Sequence, residues 1–286
     1  MRPAGSKAPV PAYTGVGFVQ GFSSMQPLND RQNEIVALAR LVGKVTVEDL
    51  SARFDVTPQT IRRDLNELCE RRILSRTHGG AMISSSVENV SYEARRFIAA
   101  EAKRAIGAAA AALIPNKSSL FINIGTTTEE VAAALSAHEN LLVITNNLNV
   151  AMNLYRHPTT EVIVAGGPVR RSDGAVIGPA AVELIRQFRV DTAVIGASAL
   201  DDDGTLLDFD ALEVNVSRAI IENARRVLLV CDRMKLERAA PVRIGHISQI
   251  DVFVTDRLES AALRQVCLAH HVQIIEAAPH LAAEPE

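Results

Sequence analysis

The sequence is poor in cysteine, in long apolar runs and in net charge, and each shortage bears on the class of protein. Its three cysteines in 286 residues lie far apart and without metal-ligand spacing, so we interpret Cys69 and Cys231 as reduced packing residues. The most apolar run, residues 105–114, stops at Pro115, well short of the roughly 18 residues of a membrane helix. The formal net charge of −3 predicts no general affinity for membranes or polyanions.

The N-terminal residues are rich in Pro, Gly, Ala and Ser, with little periodicity. They also lack the continuous apolar segment of a signal peptide. We therefore expect residues 1–28 to form a disordered extension and the protein to be cytoplasmic.

The most informative segment, residues 57–68, has the pattern of a DNA-recognition helix. Thr57 is a suitable N-cap, and Pro58 fits the first helical position, where a missing N–H costs nothing. Ile61, Leu65 and Leu68 recur at helical spacing and form one apolar face. The remaining side chains are of types that reach base edges and phosphates: Thr57, Gln59, Thr60, Arg62, Arg63 and Asn66.

The segments on either side complete a winged helix-turn-helix. Apolar periodicity predicts helices over residues 31–42 and 46–54, followed by a tight turn at Asp55-Val56. The second helix of such a pair lies in the major groove. Residues 72–81 then combine a β-prone run with a glycine pair, which predicts a hairpin wing that brings Arg76 and His78 to the DNA backbone.

A plainer alternative is that Arg62 and Arg63 belong to a solvated helix face and pair with Asp64 and Glu67. Residues 29–83 contain nine Lys or Arg against eight Asp or Glu, so this domain is barely basic. Operator affinity would therefore come from a focused patch, doubled by dimerisation, and not from bulk charge.

From Ser91 onward the chain alternates strands with helices. The predicted strands are residues 119–124, 141–145, 161–165, 191–195, 227–231, 251–254 and 272–275. Repeated βα units predict an α/β domain with a largely parallel, helix-covered sheet. Polar and glycine residues follow these strands, at the edge where open α/β sheets bind ligands.

The sharpest of these strand ends is Gly125-Thr126-Thr127-Thr128. Glycine lets the backbone turn closely, the helix that follows directs N–H groups outward, and the hydroxyls add donors, which together predict a phosphate cradle. The alternative is a capped helix in which threonine satisfies the helix's own N–H groups. The segment is neither a P-loop nor a dinucleotide fingerprint, because both spacings are absent.

Other strand-end groups are candidates for the same ligand: Asn146, Gly166, Gly167, Asp173, Ser198, Glu213 and Lys235. Each has a structural alternative. Asn146 and Asp210 are also common turn formers, and Glu213 is also an ordinary acid for an early helical position. Lys235 follows a predicted strand and would meet a phosphate, although exposed lysines are usually solvated.

Together these residues resemble the DeoR family of bacterial transcriptional regulators, over residues 30–275. The most specific markers are residues 57–68, 78–81 and 124–128. The resemblance implies a C-terminal domain akin to ribose-5-phosphate isomerase and glucosamine-6-phosphate deaminase, which binds a phosphorylated metabolite without converting it. It also implies a repressor, dimeric or tetrameric, that this metabolite releases from double-stranded operator DNA, with no cofactor and no metal.

Within the family, residues 145–151, 187–191 and 218–223 are most similar to members that respond to glycerol 3-phosphate. We therefore expect that effector, with its phosphate on residues 125–128 and its hydroxyls on Asn146 and Glu213. The family pattern leads us to expect a lysine where this chain has Ser217. If that lysine touches the ligand, effector affinity or identity would differ, so another sugar phosphate is the alternative.

These features predict five segments: an extension (1–28), a winged helix-turn-helix (29–83), a linker (84–100), an effector-binding and oligomerisation domain (101–276) and a tail (277–286). The rival hypothesis is a sugar-phosphate isomerase or deaminase with an attached DNA-binding domain. Asp210 or Glu213 would supply its general base. Against it, no acid and base are paired at clear spacing, and the helix-turn-helix would have no role.

Overall fold

The computed structural model describes residues 28–42, 44–71, 73–77, 79–83 and 92–277. The expected extension and tail fall outside these ranges except for residues 28 and 277, as does His78. The N-terminal part comprises α1 (Asp30–Val42), β1 (Lys44–Thr46), α2 (Val47–Phe54), α3 (Pro58–Glu70), β2 (Leu74–Thr77) and β3 (Gly80–Ile83). The strands form an antiparallel sheet in the order β1-β3-β2, so the predicted wing is confirmed and gains a third strand.

Local signals fix the helices of this part. The side chains of Thr46 and Thr57 cap α2 and α3, and Asp55 ends α2 with a left-handed φ of 50°. Ile61 and Leu65 are fully buried in the core that the three helices share. We expected the apolar face of α1 to comprise Ile35, Leu38 and Val42, but Val42 is 42% exposed at the last turn of that helix, so its place on that face is wrong.

The wing packs closely against the strand before α2. Gly79 has a φ of 78°, which glycine adopts without strain and which turns the chain between β2 and β3. A Cβ on Gly80 would lie 1.9 Å from the carbonyl oxygen of Val45 on β1, so only glycine fits there. Because the two strands touch at this point, the wing is fixed to the helix-turn-helix.

Two helices connect the wing to the second domain. α4 (Tyr92–Phe97) lies within the segment expected to be a linker, and α5 (Ala100–Ala111) contains most of the apolar, alanine-rich run 105–114. Ala99 separates them with a left-handed φ of 51°. α4 also contacts α1, so the connection touches both domains.

The second domain contains a seven-stranded parallel sheet in the order β13-β12-β10-β7-β4-β5-β6. Its strands are β4 (Ser119–Ile122), β5 (Leu141–Thr145), β6 (Thr160–Val164), β7 (Val190–Ile195), β10 (Ala224–Val230), β12 (Val252–Thr255) and β13 (Gln273–Glu276). All seven predicted strands are confirmed, with ends that differ by up to three residues. The central strand β4 is buried on both faces, with Leu120 and Ile122 facing one core and Phe121 the other.

Helices cover both faces of this sheet: α6 (Thr126–Ala134), α7 (Leu148–Leu154), α8 (Pro179–Arg186), α9 (Ala211–Glu222) and α10 (Ala261–Ala269). A small antiparallel sheet, not predicted from the sequence, has the order β11-β9-β8. Its strands are β8 (Ala199–Leu200), β9 (Thr205–Asp208) and β11 (Val242–His246). They have only two to five residues each, which is too short for periodicity alone to identify them. Within the described ranges, no helix is both long and apolar enough to span a membrane.

Candidate functional site

The outward face of α3 carries the predicted DNA-binding side chains. Four of them are exposed, namely Gln59, Arg62, Arg63 and Asn66, and Thr60 is half-buried. On the wing, Arg76 is exposed on β2 opposite Ala81. The structure therefore presents these side chains to solvent, as a DNA-reading surface requires.

The acidic side chains Asp64 and Glu67 on α3 form ion pairs with arginines other than Arg62 and Arg63. Asp64 is buried and accepts a hydrogen bond from Arg31 Nε at 2.6 Å. Glu67 pairs with Arg71 at 2.5 Å and accepts from Gln32 at 2.8 Å. Neither Arg62 nor Arg63 forms an ion pair with any residue in the described part of the chain. The alternative in which Asp64 and Glu67 neutralise them is wrong.

The first turn of α3 is ordered by two threonines. Thr57 Oγ1 accepts from the backbone N–H of Thr60 at 3.3 Å and lies 2.9 Å from Thr60 Oγ1. These hydroxyls therefore already serve the helix cap. Because Thr57 remains exposed, its hydroxyl can also reach a phosphate from the end of the helix.

In the second domain, a polar pocket lies beyond the carboxyl ends of the adjacent strands β4, β7 and β10. We call it the strand-end pocket. The predicted residues that line it are Gly125, Thr126, Thr127, Thr128, Asp173, Ser198, Glu213 and Lys235. The other lining residues are Arg95, Ile124, Gly196, Ala197, Asp208 and Val230. The chain thus brings together eight of its eleven predicted effector residues.

The Gly125–Thr128 turn starts α6 at this pocket. The first N–H bonded within the helix is that of Glu129, to the carbonyl of Gly125 at 3.0 Å, which leaves the N–H groups of the three threonines without a helical partner. Such groups suit an anion. The Thr128 hydroxyl, however, is fully buried and directed at the carbonyl oxygens of Asn123 and Gly125, at 2.7 and 2.8 Å. It closes the turn and is not directed at a ligand. Because it donates to carbonyl oxygens and the start of α6 has no side-chain cap, the capped-helix alternative is not supported either.

Two cationic side chains enter the pocket. Burial lowers the pKa of Lys235 to about 8, and the nearby charge of Arg238 acts in the same direction. Arg95 comes from α4, and its Nη2 lies 3.6 Å from Asp173 Oδ2. The buried Nε of Arg95 has no hydrogen-bond partner among the residues that the structure describes. A buried N–H group without a hydrogen-bond partner beside a polar pocket indicates that a ligand could supply the acceptor there.

The pocket also contains carboxylates, held by a third cation. Arg170 binds Asp173 through Nε and Nη2, at 2.9 and 2.6 Å, and Glu213 through Nη2 at 2.7 Å. Burial and the neighbouring carboxylate of Asp208 raise the pKa of Glu213 to about 8, against the opposing effect of Arg170. Burial acts to raise the pKa of Asp173 as well, but its hydrogen bonds to Arg170 outweigh that effect and lower it.

Three predicted residues do not line the pocket. Asn146 is buried and donates to the carbonyl of Val176 at 3.2 Å, while its Oδ1 has no partner within the described ranges. Gly166 and Gly167 are exposed after β6, the edge strand. They lie off the pocket because two strand spacings of about 4.8 Å separate β6 from β4.

Ser217, at the position where the family pattern predicts lysine, also has a structural role in this chain. Ser217 is buried on α9 and accepts from Asn123 at 2.8 Å, beneath the Gly125–Thr128 turn. The following Arg218 donates to the backbone carbonyl of Ile244 at 2.9 Å. Neither residue lines the strand-end pocket.

A tyrosine that the sequence analysis missed attaches α4 to the pocket-forming helix α6. Tyr92 donates to Glu129 Oε2 at 2.7 Å and accepts from Asn149 at 3.0 Å. Glu129 also accepts from Asn147 and Asn149, each at 3.1 Å. Since Tyr92 and Arg95 fall in a segment without strand or helix periodicity, their spacing gave no signal. Only the tyrosine and the arginines of that segment, as residue types, could have drawn attention to it.

A second cavity, which we call the junction cavity, lies where the wing, α4 and the second domain meet. Met82 from the wing lines it, together with Ile98 and Met234. Its charged lining residues are Arg95, Lys103, Asp232, Lys235 and Arg238. Arg95 and Lys235 line both cavities, so the strand-end pocket and the junction cavity share these two cations.

A winged helix-turn-helix joined to a parallel α/β domain with a polar strand-end pocket defines a DNA-binding protein with a small-molecule sensor. The comparisons agree with this class. A DeoR-like helix-turn-helix domain matches residues 31–87, and a DeoR C-terminal sensor domain matches residues 98–257. The chain belongs to the DeoR family.

Relatives match over nearly their whole length. The chain is 47% identical to the glycerol-3-phosphate regulon repressor of Escherichia coli K12, over 85% of this chain and 97% of that protein. It is 48% identical to the glycerol-3-phosphate regulon repressor of Haemophilus influenzae, over 79% of this chain and 88% of that protein. A solved ribose 5 phosphate isomerase A from Neisseria gonorrhoeae matches with a TM-score of 0.34 and 14% identity, over 50% of this chain and 54% of that chain, which is too weak to support an argument.

Proposed function

We propose that this protein is a transcriptional repressor that binds operator DNA through α3 and the wing and is released by glycerol 3-phosphate. The observation that carries the proposal is Arg95, which lines the strand-end pocket and whose buried Nε has no hydrogen-bond partner among the described residues. A protein that acts on operator DNA works beside the chromosome, so we keep the cytoplasm as its location.

The DNA-binding half of the proposal rests on the charges of α3. Arg62 and Arg63 are exposed and unneutralised, because Asp64 and Glu67 pair with Arg31 and Arg71. Arginine in that position can bind guanine or phosphate with two hydrogen bonds. The wing adds Arg76 as a backbone contact. We propose that two protomers read two half-sites about one helical turn apart, which doubles this small basic patch.

The effector half rests on the donors around the strand-end pocket. The N–H groups at the start of α6 and the cations Lys235 and Arg95 suit a phosphate, while Asp173 and Glu213 accept hydrogen bonds from hydroxyl groups. A small polyol phosphate carries both kinds of group. The names of the two relatives make glycerol 3-phosphate the first candidate.

Release would act through α4. A phosphate that binds Arg95 competes with Asp173 for its guanidinium, and Arg95 also lines the junction cavity against Met82 of the wing. Release requires that glycerol 3-phosphate bind the off-DNA arrangement more tightly than the on-DNA one. A coupling of about 1–3 kcal/mol would weaken operator binding roughly 5- to 150-fold.

We further propose that the pocket binds its ligand without converting it. Asp210 and Glu213, the residues that the enzyme hypothesis needs as bases, both accept hydrogen bonds from Arg170, at 2.8 and 2.7 Å. A carboxylate held by an arginine in this way is not free to reach the proton that a general base must abstract from a substrate. Incubation with sugar phosphates should therefore leave their concentrations unchanged.

The test is an operator-binding titration at fixed salt, with DNA from upstream of the chain's own gene neighbourhood. Glycerol 3-phosphate should weaken binding, whereas ribose 5-phosphate and fructose 6-phosphate should not. Release by one of those two instead would keep the mechanism and change the effector. Operator binding that no phosphate ester affects would contradict the proposal.

A further inference from the structure

Three carboxylates converge on the guanidinium of Arg170. Besides Asp173 and Glu213, it binds Asp210 through Nη1 at 2.8 Å. The three acids come from different elements: Asp173 from the loop after β6, Asp210 from the residue that caps α9, and Glu213 from the first turn of that helix. Arg170 therefore joins a loop to a helix in addition to balancing charge.

Arg170 does not itself line the strand-end pocket, although two of its partners do. Asp173 and Glu213 belong to the lining, whereas Asp210 and Arg170 do not. Arg170 can therefore act on a ligand only without touching it, through the position of those two carboxylates and through its own charge. The loop that carries it is tightly built, since Arg170 and Ala175 share a backbone hydrogen bond of 2.8 Å and Gly174 has a φ of 72°.

Charge balance explains why the arginine is needed. The lining has two cations, Arg95 and Lys235, against the carboxylates of Asp173, Asp208 and Glu213. Without a further cation, these acids would repel one another and move apart, because like charges in a partly buried site interact strongly. Arg170 supplies a third positive charge from behind the lining without occupying ligand space.

We propose that Arg170 is the positioning residue for hydroxyl recognition: it fixes Asp173 and Glu213 as acceptors for the hydroxyl groups of a phosphorylated polyol. This inference rests on the proposed function and assigns a role to a residue that does not touch the ligand. It separates two contributions to affinity. The donors of α6, Lys235 and Arg95 hold the phosphate of any ester, whereas the Arg170-held carboxylates distinguish an ester with hydroxyl groups from one without.

The experiment compares two probes on the full chain by calorimetry. Glycerol 3-phosphate has the phosphate and two hydroxyls, and propyl phosphate has the phosphate and the carbon chain alone. The informative quantity is the ratio of their dissociation constants. Arg170→Lys keeps the positive charge but loses the planar fork that binds several carboxylates at once. The matched control is Arg171→Lys, the same substitution at the exposed neighbouring arginine.

We expect the wild type and Arg171→Lys to prefer glycerol 3-phosphate by about tenfold or more, since hydrogen bonds to charged groups contribute about 1.5–3 kcal/mol. In Arg170→Lys the preference should fall below about threefold, while propyl phosphate binds within about threefold of wild type. A folding defect would instead weaken both probes in parallel and lower the melting temperature. Arg170→Met provides a second variant and should weaken both probes, because the positive charge is lost as well.

The outcomes distinguish this inference from the proposed function. If the wild type prefers glycerol 3-phosphate and Arg170→Lys keeps the full preference, the positioning role is wrong and the repressor proposal stands. A parallel loss of both probes in Arg170→Lys likewise overturns the positioning role. If the wild type binds neither probe, both proposals fail together.

Discussion

Arg31 Nε on α1 donates to the carboxylate of Asp64 on α3 at 2.6 Å, with the acid buried and the arginine partly exposed. This contact holds the recognition helix against the first helix. It also removes the acid that follows Arg62 and Arg63 in sequence from their side of the helix. The same ion pair therefore supports the fold of the domain and leaves the basic face of α3 unneutralised.

Arg62→Ala and Arg63→Ala should each weaken operator binding by about tenfold or more, since a lost arginine contact to DNA costs about 1–3 kcal/mol. Fluorescence anisotropy with labelled operator DNA measures the loss. If the arginine binds a phosphate, the slope of log affinity against log salt should fall by about one per protomer. If the arginine binds a base, the variant should discriminate less strongly among the four bases at one operator position.

Arg53→Ala is the matched control for these two variants. Arg53 is also exposed, but it lies on α2 and pairs with Glu34 at 3.2 Å. Its removal should leave operator affinity within about threefold, because exposed pairs contribute little. All three variants should bind glycerol 3-phosphate normally. Normal operator affinity in Arg62→Ala or Arg63→Ala would show that this residue lies off the recognition face.

Asp64→Ala should lower the free energy of unfolding by about 1–3 kcal/mol, since it removes a charged hydrogen bond and leaves Arg31 without its partner. Urea denaturation followed by circular dichroism measures this change. Glu70→Ala is the control on the same helix, because Glu70 is exposed, and it should change stability by less than about 0.5 kcal/mol. Equal losses in the two variants would mean that the Arg31–Asp64 contact adds no stability.

Tyr92→Phe should uncouple the two domains while sparing ligand binding. The hydroxyl of Tyr92 connects α4 to Glu129 and Asn149, and neither Tyr92 nor Glu129 lines the strand-end pocket. Removing one such hydrogen bond costs about 0.5–3 kcal/mol, so saturating glycerol 3-phosphate should weaken operator binding several-fold less than in wild type.

Tyr155→Phe is the control for this variant, since Tyr155 is half-exposed at the end of α7. Its response to the effector should match wild type. Anisotropy with and without effector gives the coupling, and calorimetry without DNA gives the ligand affinity. If the coupling of Tyr92→Phe equals that of wild type, α4 is not the connecting element.

Affinity for glycerol 3-phosphate should fall about tenfold as the pH rises from 7 to 9. Lys235, with a pKa of about 8, is charged below that pH and neutral above it. Glu213, also with a pKa of about 8, gains a negative charge over the same range, so both changes disfavour an anion at high pH. Calorimetry in buffers of matched ionic strength measures this dependence.

Lys235→Arg separates the two groups, because arginine stays charged throughout this range. The variant should keep only the smaller dependence that Glu213 causes. A dependence identical to that of wild type would exclude titration of Lys235 as a cause.

The helices and strands of this protein could be predicted from the sequence because residues close together in the chain determine them. Thr57 and Pro58 mark the start of α3, and the apolar runs of the parallel strands need no partner to be recognised. The Gly125–Thr128 turn was likewise found from its glycine and hydroxyl residues. These signals lie within a few residues of one another in the chain.

Contacts between residues far apart in the sequence could not be predicted in the same way. Arg170 meets Glu213 across 43 positions, and Tyr92 meets Glu129 across 37. No periodicity encodes such pairs, because they arise only when the loop after β6 and helix α4 fold over the sheet. For the same reason Asn146 was expected at the ligand, since its place after a strand is visible but the direction of its side chain is not.

The fit of Gly80 against the carbonyl oxygen of Val45 has a consequence for how DNA can be released. The wing, the strand before α2 and the recognition helix pack as one block, so we expect a ligand in the second domain to move this block as a whole and not to reshape it. Release from DNA would then require a change in the relative position of the two blocks in a dimer. In an effector-bound dimer, both DNA-binding domains would remain folded. The distance between their recognition helices would no longer match one turn of the double helix.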